Sequence, residues 1–339
     1  MAQRKPLQIH AYATYGTARH LYLLGRALTH RGVDLNDTGL WGAFRNSWKQ
    51  FMSDEQRNTR LRIEWPQGHS DYVTTNDEGY FKLDQEATSL DQWSNSEGWM
   101  NYQVAYDDQS LTAPILGANT FQGKMLIPDA NAEYGVISDV DDTILHTGVA
   151  SFLKWRLIIN SLFRHVAQRS PLKGAAALYH QFHRGSSGTK ANPIFYVSNS
   201  PWNLYHYLDT FLSTNNFPKG PLLLRDFKDP FQKQKAVPEK PHKQKEIRNI
   251  LKTYPDLKFI LIGDSGEHDA DIYLEIAQEY PDRILAVYLR SVKHRKRVLR
   301  VRSVLESYES VPAILVERSE QARDHALQQG LISRKAILE

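Results

Sequence analysis

A run of acidic side chains follows a predicted strand in the middle of the chain. The strand covers Gly135–Ser138, and the residues directly after it include Asp139, Asp141, Asp142 and Thr143. Carboxylates packed this closely repel one another, so the site needs a cation or a chemical task that separates their protonation states. At the carboxyl end of a parallel strand they would face the crevice in which open α/β sheets bind ligands.

Polar side chains also end the predicted strand Ile194–Ser198. Ser198 closes this strand and Asn199 follows it, and hydroxyl and amide groups donate hydrogen bonds to phosphate oxygens. Ser198 could instead cap the helix predicted from Trp202, which is a common role of serine. Its place at a strand end favours phosphate binding.

A second acidic group follows the predicted strand Phe259–Ile262. Asp264 and Asp269 lie in the string GDSGEHD, and Asp269, like Asp271 beyond it, could also cap a helix or pair elsewhere. Hard oxygen ligands of this kind select Mg²⁺ over Zn²⁺. The sequence therefore predicts a magnesium site.

Between these groups lies a basic stretch that contains Lys240, Lys243 and Lys245. Carboxylates, a cation, a lysine and a hydroxyl group are the components of phosphoryl transfer. A lysine at a helix start is usually a solvated charge, so the residues alone do not choose among the three.

The order of these groups resembles that of the haloacid dehalogenase superfamily of phosphohydrolases. D-x-D-x-T, a serine at a strand end, a lysine and G-D-x-x-x-x-D follow one another over residues 134 to about 290. The resemblance implies a doubly wound parallel sheet with helices on both faces. It also implies one Mg²⁺ ion and cleavage of phosphate monoesters through an aspartyl-phosphate intermediate.

The same resemblance implies catalytic roles for four of these residues. Asp139 would be the nucleophile. Asp141 would protonate the leaving alkoxide and then activate the attacking water, and Thr143 would position Asp141. Lys243 would neutralise charge on the phosphoryl group and hold Asp139; its choice over the neighbouring lysines rests on the His-Lys pair of the family.

Substrate and metal positions follow from the same resemblance. Ser198, Asn199 and Lys243 would bind the transferring phosphoryl group. The metal ligands would be Asp139, Asp141, Asp264 and Asp269, with Asp269 either a direct ligand or a support for one.

Longer strings narrow the resemblance. DVDDTILHTGV, YVSNSPWNLY and GDSGEHD with DIY after it are similar to the actin-patch-associated phosphatidate phosphatases and their bacterial relatives. That family pairs a β-rich N-terminal region with a catalytic domain of this kind. The similarity implies that the substrate is phosphatidate, that the product is diacylglycerol and that Mg²⁺ is required.

Two domains are expected from length and patterning. Residues 1–130 alternate with the period of half-buried strands, as in Leu7–Tyr12, and predict a small β-sandwich. Residues 131–339 alternate strands with helices, as a parallel sheet requires, and the segment from about 150 to 190 predicts a helical insertion. The linker is predicted near Pro128–Asn131.

Charge is distributed unevenly along the chain. Residues 1–130 carry 12 Lys and Arg against 15 Asp and Glu, whereas the remainder carries 30 against 23. The basic run Arg290–Arg302 is consistent with contact to an anionic membrane, or with a solvated helix face whose other side buries Val298, Leu299, Val301 and Val304. We expect no nucleic-acid partner, and the lack of cysteine is compatible with a cytoplasmic protein in peripheral contact with a membrane.

Three functions remain open from the sequence. The first is a phosphatase for a phosphorylated lipid. The second is a phosphatase for a soluble small-molecule phosphomonoester, such as a sugar or nucleotide phosphate. The third is a non-catalytic binding module that uses the β-rich domain. The filled catalytic positions argue against the third.

Overall fold

The computed structural model describes residues 5–30, 55–66, 68–140, 174–225, 242–265, 269–291 and 295–334. Asp141, Asp142, Thr143 and Lys240 lie outside these residues, as does most of the predicted helical insertion. The chain divides into two compact units, Met1–Ala130 with Asn203–Tyr207, and Asn131–Trp202 with Leu208–Glu339. No helix among the described residues is long and apolar enough to cross a membrane.

The first unit is built from strands. They are β1 (Leu7–Ala11), β2 (Thr14–Gly16), β3 (His20–Thr29), β4 (Arg60–Glu64), β5 (Ser70–Thr74), β6 (Tyr80–Glu86), β7 (Trp99–Tyr106) and β8 (Phe121–Leu126). Hydrogen bonds join them in the order β1-β3-β2-β8-β7-β4-β5, with β6 also paired to β3. Alternation buries one face, as with Leu61 and Ile63 on β4. All eight belong to one hydrogen-bonded sheet, so a sandwich stays a prediction.

The prediction of two strands joined by a turn is confirmed for β5 and β6. The sequence over Asp71–Leu83 indicates strand, turn and strand, and Asn76 Oδ1 does accept hydrogen bonds from the amides of Glu78 and Tyr80. However, β5 pairs with β4 while β6 pairs with β3. Turn residues determine where the chain reverses, whereas pairing depends on strands distant in sequence, so the sequence predicts the strands and the turn but not their pairing partners.

The second unit alternates strands and helices as expected. The strands are β9 (Gly135–Asp139), β10 (Ile194–Pro201), β11 (Leu222–Arg225), β12 (Phe259–Asp264), β13 (Ile284–Arg290) and β14 (Ala313–Val316). The α-helices described are α1 (Ala175–Arg184), α2 (Tyr205–Thr214), α3 (His242–Thr253), α4 (Asp269–Glu279), α5 (Arg295–Glu306) and α6 (Ser319–Gln328). The first residues of α2 cluster with the first unit.

The sheet of the second unit is entirely parallel. Its order is β11-β10-β9-β12-β13-β14, so the chain starts at the centre, runs outward to β11, and then returns to the centre at β12. β9 and β12 are buried along their whole length, as the middle strands of a covered parallel sheet must be. The strand order reverses between β9 and β12, and ligands of doubly wound sheets bind outside the carboxyl ends of the strands at that point.

Candidate active site

Two carboxylates lie side by side where the strand order reverses. Asp139 is the last residue of β9 and Asp264 is the last residue of β12. Both are completely buried. Neighbouring parallel strands bring their carboxyl ends to one edge of the sheet, so residues 125 positions apart in the chain meet because β9 and β12 are paired.

A buried lysine joins this pair to a third carboxylate. Lys243 lies in the first turn of α3, and Asp269 is the first residue of α4. Lys243 Nζ is 2.7 Å from Asp139 Oδ1 and 2.5 Å from Asp269 Oδ1, and the lysine side chain is 1% exposed. Lysine is almost never buried without a charged partner; here its ammonium group bridges two carboxylates.

The three carboxylates have the chemistry of a cation site. One oxygen each from Asp139, Asp264 and Asp269 lies within 4.8 Å of the others. One ammonium group compensates only one of three negative charges, and among the described residues Asp269 Oδ2 accepts no hydrogen bond. Mg²⁺ prefers oxygen ligands, whereas Zn²⁺ sites usually include nitrogen or sulfur ligands. The residues present therefore fit the predicted metal.

Ser198 reaches the same edge from the next strand. Val197 is paired with Asp139 in the register of β10 and β9, so Ser198 lies one residue beyond that pair. Its side chain is buried and its Oγ accepts a hydrogen bond of 2.9 Å from the Ser200 amide. This amide belongs to β10 and not to a helix, so the capping interpretation does not hold. Asn199 is half-buried beside it.

The backbone of Asp139 is held by residues that sequence reasoning missed. Ser138 Oγ donates a hydrogen bond of 2.8 Å to the carbonyl of Asp139 and lies 2.5 Å from the hydroxyl of Tyr179 on α1. Because the Ser138 hydrogen is directed to the carbonyl, Tyr179 is the donor of the second bond. Burial raises the pKa of Tyr179 and keeps this donor protonated. Tyr179 belongs to no motif, so only the fold could reveal it.

His242, which precedes the bridging Lys243 in the chain, is neutral at physiological pH. Burial and the positive charges of Arg225, Lys243 and Lys245 together lower the pKa of His242 to about 4, although a hydrogen bond with the Leu223 backbone opposes the shift. Lys245 is exposed. Lys243 is therefore the described lysine that supplies positive charge inside the carboxylate cluster.

Two other polar residues, Asp271 and His183, lie away from this cluster. Asp271 forms an exposed ion pair with Arg300 of α5, at 2.7 Å. His183 Nδ1 is hydrogen-bonded to the Asn192 carbonyl at 2.7 Å, so it has a structural role near the other end of the sheet.

Arginines of the basic run form ion pairs, and two of its apolar side chains are more exposed than expected. Arg302 pairs with Glu317, as Arg300 pairs with Asp271. Leu299 and Val304 are 52% and 38% exposed, so the expectation that both would be buried was wrong. Of the expected core positions, Val301 is buried.

A doubly wound parallel sheet with lysine-bridged carboxylates at its switch point is an arrangement suited to binding a cation and a phosphate group. Comparison with known families agrees. Residues 134–291 match the family described as "Phosphatidate phosphatase APP1, catalytic domain". Residues 134–291 are therefore similar to a phosphatase catalytic domain.

Two fungal proteins are similar in sequence. Phosphatidate phosphatase APP1 of Saccharomyces cerevisiae is 38% identical over 186 residues, which are 53% of this chain and 30% of that protein. An uncharacterized protein of Schizosaccharomyces pombe, C29B5.04c, is 28% identical over 223 residues, which are 65% of this chain and 34% of that protein. The chain spans about a third of the length of these relatives.

One solved structure aligns with most of this chain, but at low similarity. The crystal structure of Bacteroides thetaiotamicron EndoBT-3987 aligns over 95% of this chain and 93% of its own, with 8% identity and a TM-score of 0.23. A score this low carries no argument about the fold.

Proposed function

We propose that this chain is a Mg²⁺-dependent phosphate monoester hydrolase of the haloacid dehalogenase type that forms an aspartyl phosphate on Asp139. The observation that supports this most strongly is the contact between Lys243 Nζ and Asp139 Oδ1 in a buried cluster of three carboxylates. A matching phosphatase catalytic domain spans the same residues.

The surroundings of Asp139 suit a nucleophile. A positive charge within 4 Å stabilises the ionised carboxylate, and Lys243 lies at 2.7 Å. In the first step an Asp139 oxygen forms a bond to phosphorus as the phosphorus–alkoxide bond breaks, and Asp141 gives its proton to the leaving alkoxide. In the second step Asp141 takes a proton from water, which attacks phosphorus, releases phosphate and restores the Asp139 carboxylate.

The remaining residues bind and orient the phosphoryl group. Ser198 and Asn199 would donate hydrogen bonds to its oxygens from the edge of β10, and Thr143 would position Asp141. Asp139, Asp141, Asp264 and Asp269 would hold the cation, either directly or, for Asp269, in support. When bound, Mg²⁺ supplies positive charge that offsets the negative charge developing on the phosphoryl oxygens.

We propose phosphatidate as the substrate and diacylglycerol as the product, because the family match and the named yeast relative are phosphatidate phosphatases. The enzyme would reach this lipid by peripheral contact with an anionic membrane. The exposed Leu299 and exposed Lys296 of α5 support this proposal. This helix follows β13, so it begins near the carboxyl edge of the sheet, where Asp139 lies.

The ion pairs of α5 favour a second candidate function, a phosphatase for a soluble phosphomonoester. Arg300 and Arg302 are each paired with an acidic side chain, which reduces the charge that α5 offers to a membrane. A soluble sugar or nucleotide phosphate would need no such surface.

A phosphate-release assay distinguishes these proposals. With Mg²⁺, phosphatidate in mixed micelles should be hydrolysed with a higher kcat/KM than any soluble monoester. Asp139→Asn should reduce phosphate release to background, because it removes the attacking charge and nearly preserves the shape. Asp271→Asn, which alters an exposed ion pair on the same helix as Asp269, is the matched control and should retain activity. Mg²⁺-dependent turnover by Asp139→Asn would contradict the mechanism, and preference for a soluble monoester would contradict the substrate.

A further inference from the structure

Tyr273 is a buried residue near the carboxylate cluster that the proposed mechanism does not use. It is the tyrosine of the DIY string, lies on α4 and is 0% exposed. Asp269 and Tyr273 are four positions apart on this helix, so their side chains share one face. Helical side chains lean toward the N-terminus, which directs the phenol toward Asp269.

Electrostatic and packing relationships place the phenol at the cluster. Burial raises the pKa of Tyr273, the charge of Asp269 raises it further, and Lys243 and Asp139 act on it with opposite signs. A Cβ atom at Gly263 would lie 2.5 Å from Tyr273 Cε2 and 3.1 Å from Asp269 Oδ2. The side chains of Tyr273 and Asp269 therefore both pack against Gly263 of β12. Only glycine fits there, because a Cβ atom would collide with them.

Two polar atoms beside Gly263 have no hydrogen-bond partner within the part of the chain that the structure describes. They are the hydroxyl of Tyr273 and Oδ2 of Asp269, and both are buried. Lys243 occupies the other oxygen of Asp269. Buried polar groups are stabilised by hydrogen bonds, so a buried hydroxyl and a buried carboxylate oxygen in this position are suited to share one ligand.

We propose that Tyr273 is a positioning residue of the cation site, whose hydroxyl and Asp269 Oδ2 together hold one water molecule when the site is loaded. This inference rests on the proposed magnesium site. Protein-bound Mg²⁺ keeps several waters because it gives up its hydration shell reluctantly. A water held between a hydroxyl and a carboxylate would set the orientation of Asp269 and, through Lys243, of Asp139.

The inference predicts that Tyr273→Phe does not lower the melting temperature of the metal-free protein but reduces the stabilisation that Mg²⁺ provides. Tyr273→Phe removes a hydroxyl that has no described partner, so the melting temperature without metal should stay equal or rise. The increase in melting temperature on adding Mg²⁺ should shrink, because loss of an outer contact weakens metal affinity about tenfold or more. A purely structural tyrosine would not produce this combination.

Tyr196→Phe is the matched control. Tyr196 is also fully buried, but its hydroxyl donates a hydrogen bond of 2.7 Å to the Pro218 carbonyl. Its removal should lower the melting temperature in the absence of metal and leave the Mg²⁺-induced increase unchanged.

The decisive experiment is a Mg²⁺ titration of melting temperature for the parent, Tyr273→Phe and Tyr196→Phe proteins, followed by kcat and KM at saturating Mg²⁺. Tyr273→Phe should need about tenfold more Mg²⁺ for the same increase, with kcat reduced more than KM is changed. An unchanged Mg²⁺ response in Tyr273→Phe would overturn this inference and leave the proposed function standing. No Mg²⁺ response in the parent would overturn the magnesium site and the inference with it.

Discussion

Lys243 and Asp139 come from different elements of the second unit, and their side chains meet with Nζ 2.7 Å from Oδ1. Neither charge contacts bulk solvent, because the side chains are 1% and 0% exposed. The same ammonium group also contacts Asp269. The lysine thus links the end of β9 to the start of α4, and its loss would affect both the charge and the shape of the site.

Replacing this lysine should cost both stability and activity. Lys243→Met keeps the length of the side chain but leaves buried carboxylates without their compensating charge. We expect the free energy of unfolding to fall by about 3–5 kcal/mol and phosphate release to be lost. Chemical denaturation and a phosphate assay measure these changes. Lys245→Gln, at an exposed position two residues away, should change neither; equal effects of the two substitutions would show that the bridge has no special role.

The Mg²⁺ requirement should distinguish the roles of the two aspartates of the GDSGEHD string, Asp264 and Asp269. A chelator should abolish phosphate release, and Mg²⁺ should restore it while Zn²⁺ should not, because the proposed ligand atoms that the structure describes are oxygens. Asp264→Ala should raise the Mg²⁺ concentration for half-maximal activity more than Asp269→Ala does, since Lys243 already occupies one oxygen of Asp269. The reverse order would assign the main ligand role to Asp269, and full activity in chelator would exclude a metal enzyme.

Much of this arrangement could be predicted from the sequence, because it depends on local pattern. The strands that precede the site are short apolar runs, and those predicted at Gly135–Ser138, Ile194–Ser198 and Phe259–Ile262 match β9, β10 and β12 within a few residues. The clustering of Asp139 with Asp264 followed from the general position of ligand sites in such sheets. The choice of Lys243 over Lys245 required a family resemblance, and the structure shows the reason, since only Lys243 of these two is buried.

Features that depend on distant pairing were beyond sequence reasoning. Tyr179 supports Asp139 through Ser138, but nothing in its neighbourhood marks a site. The exposure of Leu299 was missed because an apolar residue within a basic helix was assumed to face the core. The partners of β5 and β6 lie on strands elsewhere in the sheet, and no local signal distinguishes these pairings from a hairpin.

Gly263 should be intolerant of even a methyl group. In Gly263→Ala the new Cβ would lie 2.5 Å from Tyr273 Cε2 and 3.1 Å from Asp269 Oδ2, so α4 must shift and carry Asp269 with it. We expect a loss of about 1–3 kcal/mol of stability from overpacking and a larger Mg²⁺ requirement. Gly117→Ala, where no atom lies within 4 Å, should cost about 1 kcal/mol because its φ is positive, with the Mg²⁺ requirement unchanged. A Gly263→Ala protein with parental stability and Mg²⁺ response would refute the close packing.

Membrane contact through α5 should depend on salt. We expect the triple substitution of Arg295, Lys296 and Arg297 by Gln to reduce hydrolysis of phosphatidate in anionic vesicles, since each basic residue near the surface contributes about 1 kcal/mol to binding. Rising salt should have the same effect on the parent. Hydrolysis of a short soluble monoester is the internal control and should change little in either case. Parental rates on vesicles would show that this helix face is only solvated.

The proposed covalent intermediate on Asp139 can be trapped directly. In Asp141→Asn the group proposed to activate water is absent, so the phosphorylated enzyme should accumulate when Mg²⁺ and an activated aryl phosphate, whose leaving group needs no general acid, are added. Reduction of the quenched protein with borohydride converts an aspartyl phosphate to homoserine, and peptide mass spectrometry locates the modified residue. We predict homoserine at position 139 only when substrate is present. An unmodified Asp139 in protein that has released one equivalent of the aryl alcohol, or modification at another carboxylate, would contradict Asp139 as the nucleophile.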